Sequence, residues 1–295
     1  MNADDLSRRE AAFWDRQEQR IGELYARPHD WRFVPFLADR IAGPRLAFLK
    51  KILLGHRGEI ESILDIGCGS GWLCHACAAL GFRTIGIDLS PNKVAAAARA
   101  AEEQGVAARC RFVAGDVLEV SLERPVDLLA ACGSLHHLPG LADLLPRLVE
   151  KHLRRGGLML FSEPHHEGMP PYLRRWIVGL ATGRRFRSWF DWELYRQAAG
   201  EDVRGESPAG LEQPGGHVDM RAVFRGSGHE LLAERFFDLL AGHMANAFHV
   251  YMKPRAGGRA CPVRLPGFRR RDGCLWRGRR VGKYAADGVW GLRRR

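Results

Sequence analysis

The chain has 295 residues, enough for one large or two ordinary domains. Its 46% hydrophobic and 27% charged residues exclude a chain too polar to bury a core. Its 45 basic and 34 acidic side chains give a formal charge of +11, which taken whole suggests a polyanionic partner. That excess is local, because residues 254–295 hold 13 basic and 2 acidic side chains and leave 32 of each before them.

The first sixty residues read as an N-terminal helical cap (1–60). Phe13, Trp14, Ile21, Leu24 and Tyr25 recur at helical steps, and Leu46, Leu49, Ile52 and Leu53 repeat the pattern after Pro44. From 61 to 253 short apolar runs alternate with helical stretches, the pattern of a parallel sheet with crossover helices. Strands are expected at 62–66, 83–88, 110–113, 126–132, 157–163, 230–237 and 246–252, with helices near 71–80, 91–104, 139–154 and 217–226. Residues 164–216 interrupt the alternation after the fifth strand, and a connection that long is usually functional. Within it Leu173, Trp176, Ile177 and Leu180 form an i, i+3, i+4, i+7 stripe. The stripe reads as a lid over a substrate, or as a membrane-surface helix with arginines on its polar face. Beyond Pro254 no core-forming period is visible, so 254–295 reads as a basic, flexible tail. Weak contact with an anionic membrane through 171–187 or 254–295 stays open.

The seven cysteines are unpatterned and read as reduced thiols, with Cys74 and Cys77 packing inside a helix. A secretory signal is not expected and no apolar run approaches about 20 residues, so a cytoplasmic protein is expected.

The strongest motif is Asp65-Ile66-Gly67-Cys68-Gly69-Ser70-Gly71, between an apolar strand and a helical pattern. Glycines there let the backbone turn tightly and approach a ligand at the carboxyl edge of the sheet. A dinucleotide fold needs G-x-G-x-x-G, whereas here the third glycine comes one residue early and Trp72 takes its place. The loop resembles the first motif of the class I S-adenosylmethionine-dependent methyltransferases, an acid followed by G-x-G-x-G. The resemblance covers about 60–165 motif by motif and 217–252 in outline. It implies a Rossmann-like α/β methyltransferase fold, a doubly wound seven-stranded sheet with N-terminal helices and a helical insert after the fifth strand.

It also implies that S-adenosyl-L-methionine is held by Asp65, Gly67, Cys68, Gly69 and Gly71, and that Asp88, with Leu89 beside it, accepts hydrogen bonds from the ribose hydroxyls. A carboxylate has the two oxygens that two vicinal hydroxyls require. Gly115-Asp116-Val117 is similar to the family's adenine motif, with Asp116 receiving the amino group and Val117 beside it. The stretch Cys132-Gly133-Ser134-Leu135-His136-His137-Leu138 resembles the "LHHL" of the branch that includes quinone methyltransferases, with Cys132 and Gly133 facing the methionine end. Arg155 stands where that branch usually has proline.

Each acid also has a plain structural reading: Asp65 as a strand-end cap, Asp88 as an N-cap, Asp116 as a turn residue. Methyl transfer from a sulfonium depends mainly on alignment, and a base is needed only where the acceptor must lose a proton. His136, His137, Glu163, His165 and His166 are the candidates, with His137 first; packing is its plain alternative. Glu163-Pro164-His165-His166-Glu167 could also be read as a metal cluster, but no partner cluster appears elsewhere and no metal is expected. The expected activity is methyl transfer to an O, N or C acceptor on a small, apolar or lipid-like molecule. The competing reading is a nucleic-acid-binding or RNA-modifying protein using the basic tail. Against it, Ala131-Cys132-Gly133-Ser134 lacks the N/D-P-P-Y/F motif of the DNA amino-methyltransferases.

Overall fold

The computed structural model describes residues 8–15, 43–138, 140–164, 220–237 and 287–295. Residues 8–15 are helical, followed by α1 (Gly43–Gly55), β1 (Ser62–Ile66), α2 (Trp72–Ala79), β2 (Arg83–Asp88) and α3 (Pro91–Glu103). Then come β3 (Cys110–Ala114), β4 (Val126–Cys132), α4 (Leu141–His152), β5 (Leu153–Pro164), α5 (Met220–Gly226), β6 (Glu230–Phe237) and β7 (Asp287–Arg293). The seven strands form one sheet in the order β3-β2-β1-β4-β5-β7-β6. Strands β1 to β5 run parallel, and β7 pairs antiparallel with β5 on one side and β6 on the other.

Alternation along each strand sorts apolar side chains to two faces. Leu64, Ile66, Leu129, Ala131, Met159, Phe161, Trp290 and Leu292 join one core with α4 and α5. Ile63, Leu128, Ala130, Leu158, Leu160 and Val289 join a second with Leu49 and Leu53 of α1 and Cys77 of α2. Helix α4 buries Leu141, Leu145, Leu148, Val149 and His152, one stripe at helical spacing. Helix α3 starts where the sequence allows it: the Ser90 side chain accepts the Lys93 N–H at 3.1 Å, and Pro91 stands in the first turn.

Two expectations are corrected. Strand β5 begins at Leu153 rather than 157, pairing with Val126 before the register shifts at Leu128. The turn through Arg155 and Gly156 is therefore an irregularity inside the strand. The second correction concerns the basic tail, whose residues 287–293 are not loose but form β7. Their apolar positions are few but both faces are used: Trp290 and Leu292 join one core and Val289 the other, and all three are at most 1% exposed. Trp290 stacks at a tilt on Phe224 at 5.1 Å, and its Nε1–H donates to Glu234 Oε1 at 3.1 Å. Arg293 pairs with Glu59 at 2.7 Å, and the Arg294 N–H donates to the Gly157 carbonyl at 2.8 Å. The slot expected for 246–252 is thus filled by 287–293, and 246–252 lies outside the described residues, as does the insert 165–216 with its apolar stripe.

Candidate functional site

Parallel pairing of β3-β2-β1-β4-β5 brings five carboxyl ends to one edge, so the loops after Ile66, Asp88, Ala114 and Cys132, together with Glu163, converge there. β1 has β2 on one side and β4 on the other, the chain reversal at which open α/β sheets form a crevice.

The glycine loop is shaped by close approach. A Cβ on Gly67, whose φ is +65°, would lie 2.5 Å from the Ser134 Cβ, so the β1 and β4 loops touch only because glycine is present. Ser134 completes the contact by donating its hydroxyl to the Ile66 carbonyl at 2.5 Å. Gly69 (φ +53°) and Gly133 (φ +70°) differ: a Cβ at either would meet nothing within 4 Å. Backbone on both sides of the crevice therefore faces open space.

Asp88 accepts the Gly69 N–H on Oδ2 at 2.8 Å and the Ser90 N–H on Oδ1 at 2.9 Å, which fixes the carboxylate beside the glycine loop. Asp65 is only 2% exposed and lies beneath the loop, with the Cys74 thiol donating to it at 3.6 Å. Burial, with Asp88 and Glu163 adding repulsion, raises its pKa from 3.8 to about 8. Asp65 therefore supports the loop from below. Cys68 is buried, its sulfur in the space a Gly86 Cβ would need. Asp116 closes a turn, its carboxylate accepting the Leu118 N–H at 2.8 Å, and the Gly115 N–H donates to the Asp88 carbonyl. Val117 is buried in the core and Leu89 is half-buried. Cys132 ends β4, half-buried, next to Gly133.

On the other side of the crevice, Glu163 is fully buried and holds the β4 loop. Its Oε1 accepts the Ser134 and Leu135 N–H groups, each at 3.0 Å. Its Oε2 accepts the His136 N–H at 3.4 Å and pairs with His136 Nδ1 at 2.8 Å. A carboxylate there places the proton on Nδ1 and leaves the lone pair on Nε2. His137 packs at a tilt against His136, with ring centroids 3.9 Å apart, and meets the Trp14 ring edge-on at 5.3 Å, with Glu10 Oε1 at 4.0 Å. Burial, then His136 and Lys93, lowers its pKa from 6.5 to about 3, so the expected base meets a site that makes it a poor one.

His136 and Glu163 are candidates 27 residues apart in the sequence, and only the pairing of β4 with β5 joins them. Glu10 and Asp15 were not anticipated, although Glu10 and Trp14 lie four apart on one helix and are hydrogen-bonded at 2.9 Å. Among the described residues no group of three or more His, Cys, Asp or Glu could hold a metal ion, and no helix is long and apolar enough to cross a membrane. His165, His166 and Glu167 lie outside those residues.

Residues 63–157 match the model of a methyltransferase domain. The chain is 30% identical over 251 residues to a trans-aconitate 2-methyltransferase of Methylobacterium nodulans, covering 78% of this chain and 93% of that protein. The chain belongs to the class I small-molecule S-adenosylmethionine-dependent methyltransferases. A ubiquinone biosynthesis O-methyltransferase of Caulobacter vibrioides is 29% identical over 185 residues, 57% of this methyltransferase and 72% of the relative. The fold is shared with a Galdieria sulphuraria protein described as a candidate sarcosine dimethylglycine methyltransferase, at a TM-score of 0.51 and 15% identity over 84% of each chain. The methyltransferase moves a methyl group from S-adenosylmethionine to a small molecule, and nothing in these similarities supports the nucleic-acid reading.

Proposed function

We propose that the methyltransferase acts on a hydroxyl oxygen of a small molecule, with His136, oriented by Glu163, taking the acceptor proton. The observation that carries this reading is the 2.8 Å contact between His136 Nδ1 and a fully buried carboxylate. S-adenosylmethionine supplies an electrophilic methyl carbon and a neutral thioether leaving group. Asp88 takes the ribose hydroxyls through the oxygen lone pairs that Gly69 and Ser90 do not use. The open backbone at Gly69 and Gly133 makes room for the amino-acid end, Asp116 and Val117 border the adenine, and Asp65 and Cys68 hold the loop's shape.

On the acceptor side, Nε2 of His136 receives the hydroxyl proton as the oxygen attacks the methyl carbon and the C–S bond breaks. Glu163 then shares the resulting charge across its hydrogen bond. His137, which stays neutral, forms a wall of the acceptor pocket with Trp14. Relatives named as O-methyltransferases support oxygen as the acceptor atom.

The test is a panel of phenols, hydroxyquinones and carboxylic acids incubated with labelled S-adenosylmethionine. His136→Ala should slow a hydroxyl acceptor by about 10²–10⁴-fold, the usual range for a general base, while His137→Phe should keep most of the rate. Transfer only to carboxylates, at a rate His136→Ala leaves unchanged, would refute the reading, since a carboxylate brings no proton to remove.

A further inference from the structure

We infer that Asp15 is a positioning residue for the cofactor pocket, fixing from outside the sheet the loop that carries Asp88 and so tying the seating of helix 8–15 to the cofactor. The inference rests on the reading of Asp88 as the ribose acid, and it starts from three contacts. The Ser90 hydroxyl donates to Asp15 Oδ1, and the Asn92 N–H donates to the same oxygen at 3.3 Å. Ser90 is fully buried, and its own N–H holds Asp88 Oδ1 at 2.9 Å. A chain of hydrogen bonds therefore runs from Asp15 through Ser90 to the carboxylate that takes the ribose.

Asp15 joins Ser90 at the N-terminus of α3, where amide hydrogens lack helical partners and a negative charge is favoured. One residue earlier, Trp14 spans the two halves of the site. Lys93 of α3 lies over its ring at 4.0 Å, and His137 of the acceptor-side loop meets its edge at 5.3 Å. Glu10, one turn back and 5% exposed, accepts the Trp14 Nε1–H at 2.9 Å and lies 4.0 Å from His137. One helical turn thus holds the cofactor loop with Asp15 and the acceptor wall with Trp14 and Glu10. Anything that settles the Asp88 loop also settles the face against which the acceptor binds.

The test uses the full chain with S-adenosylhomocysteine as the probe. Calorimetry should show Asp15→Ala weakening the probe at least fivefold, the size expected for a helix-capping carboxylate. Asp15→Asn, which keeps an accepting oxygen, should recover part of the loss. Hydrogen exchange on the unaltered protein should show the probe slowing amides in 8–15 as well as in 67–71 and 88–92, and Asp15→Ala should erase only the first. Probe affinity within twofold of the unaltered protein in Asp15→Ala, or probe-independent exchange in 8–15, would overturn the inference. Asp88→Ala separates the two claims. If it leaves binding unchanged, the ribose assignment fails; if it abolishes binding while Asp15→Ala does not weaken it, only the positioning role of Asp15 fails.

Discussion

Trp290→Ala is the sharpest test of the fold, because it probes a strand drawn from the stretch that composition marks as a loose tail. The Trp290 side chain is fully buried, packs on Phe224, which stacks on Phe161 at 5.1 Å, and donates to Glu234. Removing a buried aromatic of this size costs about 3–5 kcal/mol, through lost transfer energy and the cavity left behind. Glu234 is not stranded by the change, since the Arg221 guanidinium donates to it at 3.1 and 3.0 Å. Trp290→Phe keeps a six-membered ring but loses the pyrrole portion with its N–H, so it should cost less, about 1–3 kcal/mol. Urea unfolding followed by far-ultraviolet circular dichroism measures both without relying on tryptophan emission. A Trp290→Ala variant within about 1 kcal/mol of the parent would refute the placement of β7. If Phe248→Ala then proved the costly change, the slot beside β5 would return to 246–252.

Further predictions concern the glycine loop and two buried titratable groups. Gly67→Ala adds a left-handed backbone penalty of roughly 1–2 kcal/mol to a 2.5 Å clash with Ser134, so it should lower the melting temperature and abolish S-adenosylhomocysteine binding. Gly69→Ala carries the same left-handed penalty of roughly 1–2 kcal/mol but meets no clash, so it should cost less stability than Gly67→Ala, yet weaken binding about tenfold or more by filling the crevice; unaltered affinity would mean that Gly69 does not face the cofactor. Asp65, raised from 3.8 to about 8, holds its proton more tightly in the folded state, so its contribution is full below pH 4 and is lost as pH rises towards 8. Asp65→Asn should flatten that part of a plot of melting temperature against pH. His137, lowered from 6.5 to about 3, acts in the opposite sense: its contribution is present above pH 6.5 and lost as pH falls towards 3, and His137→Gln should remove it. A slope that either substitution leaves unchanged would show that the buried group does not titrate as described.

The parallel half of the sheet was legible because its strands are short apolar runs bounded by glycines and acids. β1, β2 and β4 fall where the periodicity puts them, and β3 extends one residue beyond its expected end. The glycine loop and the Asp88 strand end were legible because their chemistry is local. Three features were not. The 287–293 strand has only three strongly apolar residues among arginines and glycines, and its burial depends on partners more than 50 residues away. The His136–Glu163 pair depends on strand register, which no spacing along the chain reveals. The different surroundings of His136 and His137 follow from burial: one ring meets a carboxylate, while the other is wedged beside a tryptophan from a helix some 120 residues earlier.

The origin of β7 also sets the order in which this protein can be completed as it is made. β5 and β6 have no direct pairing with each other, and the strand that joins them follows Phe237 by 49 residues. At about 5–20 residues per second, translation leaves a gap of roughly 2–10 s. During that time the Met159–Phe161 edge of β5 has an unpaired row of amides and carbonyls beside the nearly complete parallel half. Exposed edges of that kind recruit strands from other chains. A newborn chain of this methyltransferase should therefore be most vulnerable to aggregation after its cofactor loops exist and before its last strand arrives.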